Sequence, residues 1–379
     1  MNTIEPDFYF FDFNSKLSFN PTDKDVIALS YYSGADHLVE FNDVTLERGM
    51  NPTILINLDV DENSDWGNQG LSGKWSRQWN PRLYSNLLVA SSNYFSEYNR
   101  NVDIDVTIVE QDRQVLDRTI VTLEDNDVRD FTFRLDNELQ LNSKHKLEFG
   151  ALGTFAEVDY QFVRDDTLTI LDVNQEAKYY AAYLSDTWEP NPQLSINAGI
   201  RSTYYNISDQ IYWSPRFSFQ YNLTDQLKLK GGYGKHYQFV NRIVNENVTE
   251  GSRDFWLLSD DELVKVSSAE HYVVGAAYET NGFIFDVEAY RKDLSNLAEF
   301  SLRFQRNDID LNQLFFSGNG YAEGVEFLLQ KKRGDYTGWV TYTLARVRNT
   351  FESLNNGFEF SALHDQRHEF KMVHSYEMD

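Results

Sequence analysis

The segment from Gly318 to Phe351 constrains the fold of this 379-residue chain more than any other stretch. It reads GNGYAEGVEFLLQKKRGDYTGWVTYTLARVRNTF, with two arms around the tight turn Arg333-Gly334-Asp335-Tyr336, which is the pattern of an antiparallel hairpin. In the first arm, Val325, Phe327 and Leu329 point to one side, and Glu326 and Gln330 point to the other. In the second arm, Val340, Tyr342 and Leu344 share one side, and Thr341 and Thr343 lie on the opposite one. Because side chains alternate along a strand, each arm has one apolar and one polar face.

The same alternation recurs in further hairpins along the chain. In the hairpin over 177–206, Leu194, Ile196, Ala198 and Ile200 share one face, while Asn197 and Arg201 lie on the other. The predicted short turns are Asn20-Pro21-Thr22-Asp23, Asn80-Pro81-Arg82, Asn142-Ser143-Lys144, Glu189-Pro190-Asn191-Pro192, Leu223-Thr224-Asp225-Gln226 and Thr280-Asn281-Gly282.

Longer polar connections are expected between these hairpins, at 47–65, 100–128, 240–266 and 293–317. Short turns at one end and connections of roughly 10 to 30 residues at the other are typical of an outer-membrane barrel, here with about fifteen strands. Within the second connection, 102–109 and 118–123 alternate well enough to be strand that extends past the membrane.

Composition agrees with a barrel and excludes a helical membrane protein. Hydrophobic residues make up 41% of the chain, and no apolar run approaches the roughly 18 residues that a spanning helix needs. Trp79, Trp188 and Trp339 each lie within a few residues of a predicted short turn, where an aromatic girdle is expected. Ordinary core tryptophans are the alternative.

The charge balance argues against a nucleic-acid partner. The chain has 34 basic and 59 acidic residues, a net charge of −25, so a phosphate backbone would be repelled. Much of the acid is expected in surface loops, at 59–65, 125–130 and 260–262. The run from Asp59 to Asp65 resembles the start of a calcium loop, but Ser64 stands at the glycine position and Gly70 at the closing glutamate position. This favours a solvated acidic loop over a calcium site.

No feature of the sequence indicates an enzyme. The chain has no cysteine, and no catalytic triad, phosphate-cradling loop or functional carboxylate pair can be placed from spacing. We therefore expect no catalytic residue, no metal site and no cofactor. The candidate ligand-contacting residues are loop side chains suited to an anionic or ring-shaped ligand, namely Arg242, Arg253, Trp256 and Arg303. Solvated loop side chains are the alternative interpretation.

Several stretches resemble the late barrel strands of TonB-dependent outer-membrane receptors. They are GNGYAEGVEFLLQKK, GDYTGWVTYTLAR, HDQRHEFKMVHSY, YYAAYLSDTWEPNPQLSINAGIRSTYY at 179–205 and SPRFSFQYNLTDQLKLKGGYGKHYQF at 214–239. The resemblance covers essentially the whole chain and implies an all-β, antiparallel transmembrane β-barrel of roughly 22 strands around a plug. We expect residues 1–379 to be a partial, incomplete barrel, with the plug domain and the final strands absent. Glu369 to Tyr376 then begins a strand without a partner in this chain.

The resemblance also implies a function. Such a receptor sits in the outer-membrane lipid of a Gram-negative bacterium and actively imports a scarce nutrient, most often an iron chelate such as a siderophore, with energy that TonB supplies through the plug. The alternative from another class is a soluble or surface-attached β-rich module that binds carbohydrate. Detergent dependence separates the two, since only the barrel has an apolar band that needs micelles. An outer-membrane barrel enzyme would require a catalytic constellation that the sequence does not offer.

Overall fold

The computed structural model describes residues 3–49, 53–111, 113–165, 167–247, 251–300 and 315–378, and these residues are mostly β-strand. No helix in these ranges is long and apolar enough to cross a membrane. The strands are β1 (Thr3–Thr22), β2 (Asp25–Arg48), β3 (Ile54–Asn80), β4 (Leu83–Ile108), β5 (Arg113–Gln140), β6 (His145–Arg164), β7 (Leu168–Asn191), β8 (Leu194–Tyr205), β9 (Gln210–Asn222), β10 (Leu227–Gln238), β11 (Val240–Asn247), β12 (Gly251–Leu258), β13 (Ser267–Thr280), β14 (Phe283–Phe300), β15 (Phe315–Lys331), β16 (Tyr336–Phe351), β17 (Phe360–Ser361) and β18 (His368–Tyr376).

Most of these strands form one antiparallel ladder. The described sheet has 18 strands, and fifteen follow one another in the ladder once β11, β12 and β17 are set aside. Strands β1 to β10 pair in chain order, β10 then pairs with β13, and the ladder continues through β14, β15 and β16 to β18. Within the described residues β1 pairs only with β2, so the sheet is not closed. The expectation that β18 lacks a partner was wrong, because it pairs with β16 from Tyr336↔Tyr376 to Leu344↔His368.

The register confirms the predicted alternation of faces. Phe327 lies opposite both Val287 and Tyr342, so the three side chains share one face of the sheet. This apolar face also carries Ile27, Leu29, Leu71, Val89, Phe131, Phe133, Phe155, Leu184, Ile200, Phe217, Val274, Phe285, Leu329 and Met372, all exposed. The opposite face, called the polar face below, carries Glu288, Glu326 and Thr343 at the same level. A large exposed apolar band is unfavourable in water and favourable against lipid.

The predicted short turns lie together at one end of the antiparallel sheet, which is called the wall below. The hairpins β1–β2, β3–β4, β5–β6, β7–β8, β9–β10, β13–β14 and β15–β16 all close there through a few residues. The asparagine and threonine side chains expected at these turns hold them. In the β3–β4 turn, for example, the Asn80 Oδ1 accepts hydrogen bonds from the N–H groups of Arg82 and Leu83 at 2.9 and 3.2 Å. The opposite ends of several strands extend well beyond the apolar face, as predicted for 102–109 and 118–123.

Two acidic segments expected in loops lie in strands. Residues 59–65 are part of β3 and residues 125–130 are part of β5. Asp59 sits directly opposite Asp43 on one side and Asp103 on the other. Beyond the apolar band both faces of a strand meet water, so acidic residues are compatible with continued pairing. The prediction of a loop at 59–65 was therefore wrong. In the part of the chain described here, no three His, Cys, Asp or Glu side chains are grouped so that they could hold a metal ion.

The aromatic girdle is confirmed in part. Trp79 and Trp188 lie on the apolar face near short turns and are exposed. The Trp79 ring carries the Arg77 guanidinium at 4.6 Å from its centroid, and the Trp79 Nε1 donates a hydrogen bond to the Ser85 Oγ at 3.0 Å. Trp339 was wrongly placed, because its neighbour Val340 occupies the apolar face and Trp339 therefore projects from the polar face.

Candidate functional site

The connection between β10 and β13 folds onto the polar face instead of extending away from the sheet. Strands β10 and β13 pair directly across it, so the segment between them leaves and re-enters the wall at one point. Within it, β11 and β12 pair from Val240↔Leu258 to Asn247↔Gly251. We call these two strands the inner hairpin. Its contacts include β5, β6 and β7, far from its own ends in sequence. The predicted long polar connection at 240–266 therefore contains two paired strands.

One face of the inner hairpin is apolar and is buried against the wall. Phe255 stacks on Tyr160 of β6 with ring centroids 4.1 Å apart and planes 5° apart. The surrounding cluster of buried side chains consists of Tyr160, Phe162, Ile170, Leu171, Ile243, Phe255, Leu257, Val264, Phe300 and Phe315. Burying one such side chain contributes about 1.5–3 kcal/mol, so this cluster fixes the hairpin to the wall. The main buried core of the described residues thus lies at the end of the wall opposite the short turns, which is called the mouth below.

A second cluster anchors the end of the hairpin. Leu258 and Val266 pack with Ala156, Val158, Ala177 and Tyr205. The Tyr205 hydroxyl donates a 2.6 Å hydrogen bond to the carbonyl oxygen of Ser259. Both Tyr205 and Ser259 are fully buried, so this hydrogen bond satisfies the hydroxyl inside the cluster.

Side-chain amides complete the attachment by binding the backbone of β12. The Asn126 Oδ1 accepts a hydrogen bond from the Trp256 N–H at 2.7 Å, and the Asn126 Nδ2 donates to the Trp256 carbonyl at 3.3 Å. The Gln175 Oε1 accepts from the Leu258 N–H at 2.8 Å, and its Nε2 donates to Asp260 at 3.0 Å. These amides satisfy backbone groups that no neighbouring strand of the described sheet reaches.

The other face of the inner hairpin carries two of the predicted ligand-contacting residues. Arg242 and Trp256 are cross-strand partners, so they project together, away from the face of Phe255 and Leu257. Arg242 is exposed and forms an ion pair with Asp254 of the same hairpin. For Arg253 the structure places only the backbone, in β12. Arg303 lies outside the described residues, so it stays a prediction.

Further aromatic residues that sequence reasoning missed lie on the polar face near Trp256. Tyr94 of β4 packs edge-on against Trp256 with centroids 6.5 Å apart. Trp66 of β3 lies one diagonal step from Tyr94 in the register, and Phe8 of β1 lies 6.5 Å from Trp66. Phe10 follows, 6.0 Å from Phe8. We call these five residues the aromatic surface. It offers ring faces for stacking on a planar ligand, with the Arg242–Asp254 pair beside it.

These observations define the class of protein. Long antiparallel strands with a lipid-compatible apolar face, a polar opposite face and short turns at one end are the features of a transmembrane β-barrel. In such a barrel the apolar face meets lipid and the polar face lines the lumen. The inner hairpin then lies within the lumen, at the end away from the short turns.

Comparison with known proteins identifies the family. The family model described as "TonB dependent receptor-like, beta-barrel" matches residues 3–373. The chain therefore belongs to the TonB-dependent receptor β-barrel family, which confirms the resemblance found in the sequence. No curated protein is significantly similar to the chain in sequence.

Solved structures share the fold at low sequence identity. The ferripyoverdine receptor of the outer membrane of Pseudomonas aeruginosa aligns with a TM-score of 0.58 and 10% identity over 100% of this chain and 59% of that one. The ferric-catecholate import receptor of E. coli K12 aligns with a TM-score of 0.58 and 11% identity over 99% of this chain and 68% of that one. The ferric preacinetobactin receptor of Acinetobacter baumannii aligns with a TM-score of 0.55 and 8% identity over 99% of this chain and 66% of that one. The chain thus spans 59% of the length of the ferripyoverdine receptor.

Proposed function

We propose that this chain is the barrel of an outer-membrane receptor of a Gram-negative bacterium that actively imports a scarce nutrient. An iron chelate is the first candidate cargo, and TonB, acting through a plug domain, is the proposed source of energy. Membership of the TonB-dependent receptor family supports this proposal, as does the apolar face that suits lipid. The ferripyoverdine and ferric-catecholate receptors share the fold, which makes a ferric chelate the reasonable first cargo to test here.

The single observation that carries the proposal is the inner hairpin. It lies over the polar face at the end opposite the short turns, and it presents Trp256 toward the lumen beside Tyr94. A ligand arriving from outside would meet these rings before it reached the deeper polar wall. Stacking against Trp256 and the other members of the aromatic surface would hold an aromatic or conjugated chelate, while Arg242 would interact with its negative charge. Arg253, in β12, and Arg303, which lies outside the described residues, are proposed as further ligand contacts.

The same geometry favours the barrel over a soluble carbohydrate-binding module. An exposed band that includes Phe133, Ile200, Val274 and Phe327 would promote aggregation in water. Sugars also stack on aromatic side chains, so an oligosaccharide belongs among the test cargoes. The chemistry of the described residues supports transport more than catalysis, because no acid–base or nucleophilic constellation lies at the aromatic surface.

Uptake by intact cells tests the proposal. Cells that carry the gene and cells from which it is deleted are compared with radioiron-labelled catecholate and hydroxamate chelates, and with labelled cobalamin and oligosaccharide. Each strain is also prepared without functional TonB. Gene-dependent uptake that disappears without TonB is expected for one cargo, and uptake that persists without TonB would overturn the proposed energy source.

A matched pair of variants tests the site. Trp256→Ala should lower uptake of that cargo, because it removes the central ring of the aromatic surface. Trp213→Ala is the control, since Trp213 is an exposed ring on the apolar face of β9. Equal uptake by the two variants, at equal amounts of receptor in the outer membrane, would reject the aromatic surface as the ligand site.

A further inference from the structure

Two arginines on the polar face stand without a carboxylate partner among the described residues. Arg201 lies in β8 and Arg216 in β9, at diagonal positions of the register, because Arg201 pairs with Ser214 and Gly199 pairs with Arg216. Diagonal neighbours of an antiparallel pair are about 7–8 Å apart, within reach of the long arginine side chains. Both line a cavity of ≈ 280 Å³, whose other lining residues include Arg134, Glu148, Tyr183 and Asn197.

The register explains why no acid lies opposite these two guanidinium groups. The cross-strand partners of Arg201 are Tyr183 and Ser214. The partners of Arg216 are Gly199 and Gly234. None of these four residues carries a negative charge at neutral pH, so neither arginine meets a carboxylate across the ladder.

Glu148, which lines the cavity, and Asp136, which binds the lining residues Tyr183 and Arg134, are already engaged with other groups. The Asp136 carboxylate accepts hydrogen bonds from the Tyr183 hydroxyl at 2.6 Å and from the Arg134 Nε at 2.9 Å. The Glu148 carboxylate forms an ion pair with Lys146 at 2.7 Å. Each of these acids thus has its own cation, so no carboxylate among the described residues compensates the charge of Arg201 and Arg216.

Two other cations of the polar face, Lys230 and Lys371, do have carboxylate partners. Lys230 pairs with Asp286 at 2.9 Å, and Lys371 pairs with Glu369 at 2.7 Å. The chain carries 59 acidic residues against 34 basic ones, so acids are plentiful overall. The isolation of Arg201 and Arg216 therefore reflects their position and not a shortage of carboxylates.

The basic character continues sideways along one level of the wall. Gly234 pairs with Arg216 on one side and with His271 on the other, and His271 pairs with Lys292. The His236 and His271 rings lie with their centroids 5.0 Å apart. This level, from β9 to β14, thus presents arginine, histidine and lysine to the lumen with no acidic residue at the paired positions between them.

We propose that Arg201 and Arg216 form an oxyanion-binding site in the lumen wall, suited to a carboxylate or phosphate group. Two guanidinium groups offer forked N–H donors that match the oxygens of such a group. Asn197 lines the same cavity, and because its Nδ2 donates one hydrogen bond to the Thr187 Oγ1 at 2.8 Å, its second N–H is the one that would face the oxyanion. Gly199 leaves that part of the cavity lining free of a side chain. The oxyanion comes either from a small solute in the lumen or from an acidic side chain of another protein segment lodged there. The site does not depend on which nutrient the receptor imports.

Calorimetric titration with citrate, on the full chain folded in detergent micelles at low salt, tests the solute source. The Arg201→Gln/Arg216→Gln double variant should bind citrate roughly tenfold more weakly than wild type or worse, because charge-assisted hydrogen bonds are lost. Arg129→Gln is the matched control, since Arg129 is exposed and already lies 3.7 Å from both Asp127 and Glu157. The double arginine-to-lysine variant should bind with intermediate affinity, because it keeps the charge and loses the fork.

Thermal unfolding of the same proteins distinguishes the second source. If a protein carboxylate fills the site, citrate will not bind wild type, and the double glutamine variant will unfold at a lower temperature than Arg129→Gln, with the lysine variant retaining most of the stability. If citrate binds wild type and raises its melting temperature, the solute source is supported. Equal citrate affinity and equal melting temperature in wild type and the double glutamine variant would overturn the site.

Discussion

The side chain of Asn126 binds the backbone of Trp256 as a neighbouring strand would, with one accepted and one donated hydrogen bond of 2.7 and 3.3 Å. The two residues are 130 positions apart in sequence. The same Nδ2 also donates to the Asp159 carbonyl at 2.9 Å, so Asn126 joins the inner hairpin to β5 and β6 at once. Asn126 is itself buried.

Replacing Asn126 should loosen the inner hairpin without opening the wall. Asn126→Ala leaves the backbone groups of Trp256 unpaired in a buried place, at a cost of about 1–3 kcal/mol. Amide hydrogen exchange across 240–258 should accelerate, while exchange across β10 and β13 stays slow. Asn68→Ala is the control, because Asn68 lies on the polar face, as Asn126 does, but at an exposed position of β3. Unchanged exchange in Asn126→Ala would show that the aromatic stack alone holds the hairpin.

Gly150 should tolerate no side chain. A Cβ at this position would lie 2.3 Å from the Leu135 carbonyl oxygen and 2.7 Å from the Tyr183 Cε1. Gly150→Ala is therefore expected to lower the free energy of unfolding by about 1–3 kcal/mol, as overpacking does. It should also displace Tyr183 from Asp136. Gly70→Ala is the matched control on the polar face, because its nearest contact would be 3.9 Å. Chemical denaturation in micelles compares the two, and equal stability would contradict so close an approach of Leu135 and Tyr183 to Gly150.

The two faces of β8 should differ sharply in their tolerance of charge. Ile200 lies on the apolar face with 48% of its surface exposed, so Ile200→Arg should cost about 2–4 kcal/mol near the middle of the bilayer. Ile196→Arg should behave in the same way, whereas Asn197→Arg on the polar face should be tolerated. The measurement is the free energy of folding into lipid vesicles. Equal tolerance at both faces would count against lipid contact for this strand.

Asp125 should destabilise the protein at neutral pH. It lies on β5 beyond the apolar band with its side chain exposed, and partial desolvation by its neighbours, together with the charges of Asp127 and Asp159, raises its pKa above the ordinary value of 3.8. A carboxyl with a raised folded-state pKa contributes stability below its unfolded pKa and loses it as the pH rises through the folded value. Asp125→Asn should therefore increase stability at neutral pH, and the gain should vanish below pH 3.8. Denaturation in micelles at a series of pH values measures this, and a gain that is independent of pH would show another cause.

Asp365 provides the comparison of opposite sign. The Val347 N–H, which donates to its Oδ1 at 2.7 Å, and the Arg348 guanidinium at 2.8 Å lower its pKa below 3.8. A lowered folded-state pKa means stability that is present above the unfolded pKa and is lost as the pH falls through the folded value. Asp365→Asn should therefore destabilise the protein at neutral pH, and the difference from wild type should shrink on acidification. Parallel pH profiles for the Asp125 and Asp365 variants would contradict both assignments.

The hairpins of the wall were predictable because strand alternation and turn chemistry are local. The faces of Val325, Phe327 and Leu329, and the turn at Asn80-Pro81-Arg82, follow from neighbouring residues alone. The strand at 59–65 is not evident from the sequence, because a polar run is typical of a loop, whereas strands beyond the lipid band are wet on both faces. The inner hairpin carries a local signal, since Phe255 and Leu257 alternate with Asp254 and Trp256.

The location of the site was less accessible to sequence reasoning. Nothing local shows that Phe255 turns inward to meet Tyr160, and so the partnership of Trp256 with Tyr94 could not be foreseen. The chemistry of Arg242 and Trp256 indicates ligand contact, but their cross-strand pairing is a consequence of the inner hairpin. Arg201 was placed correctly on the polar face, but its lack of acidic cross-strand partners emerges only from the register with β7 and β9.

The inner hairpin also has a consequence for the order of assembly. Each hairpin of the wall closes between segments adjacent in sequence, whereas docking of β12 joins positions as distant as 126 and 256. Contacts of long sequence separation must overcome a larger loop-closure entropy and form late. The surface that receives Phe255 exists only once β5, β6 and β7 are paired. We therefore expect the mouth to close last, so that a newly inserted barrel passes through a stage in which its lumen is open to the outside.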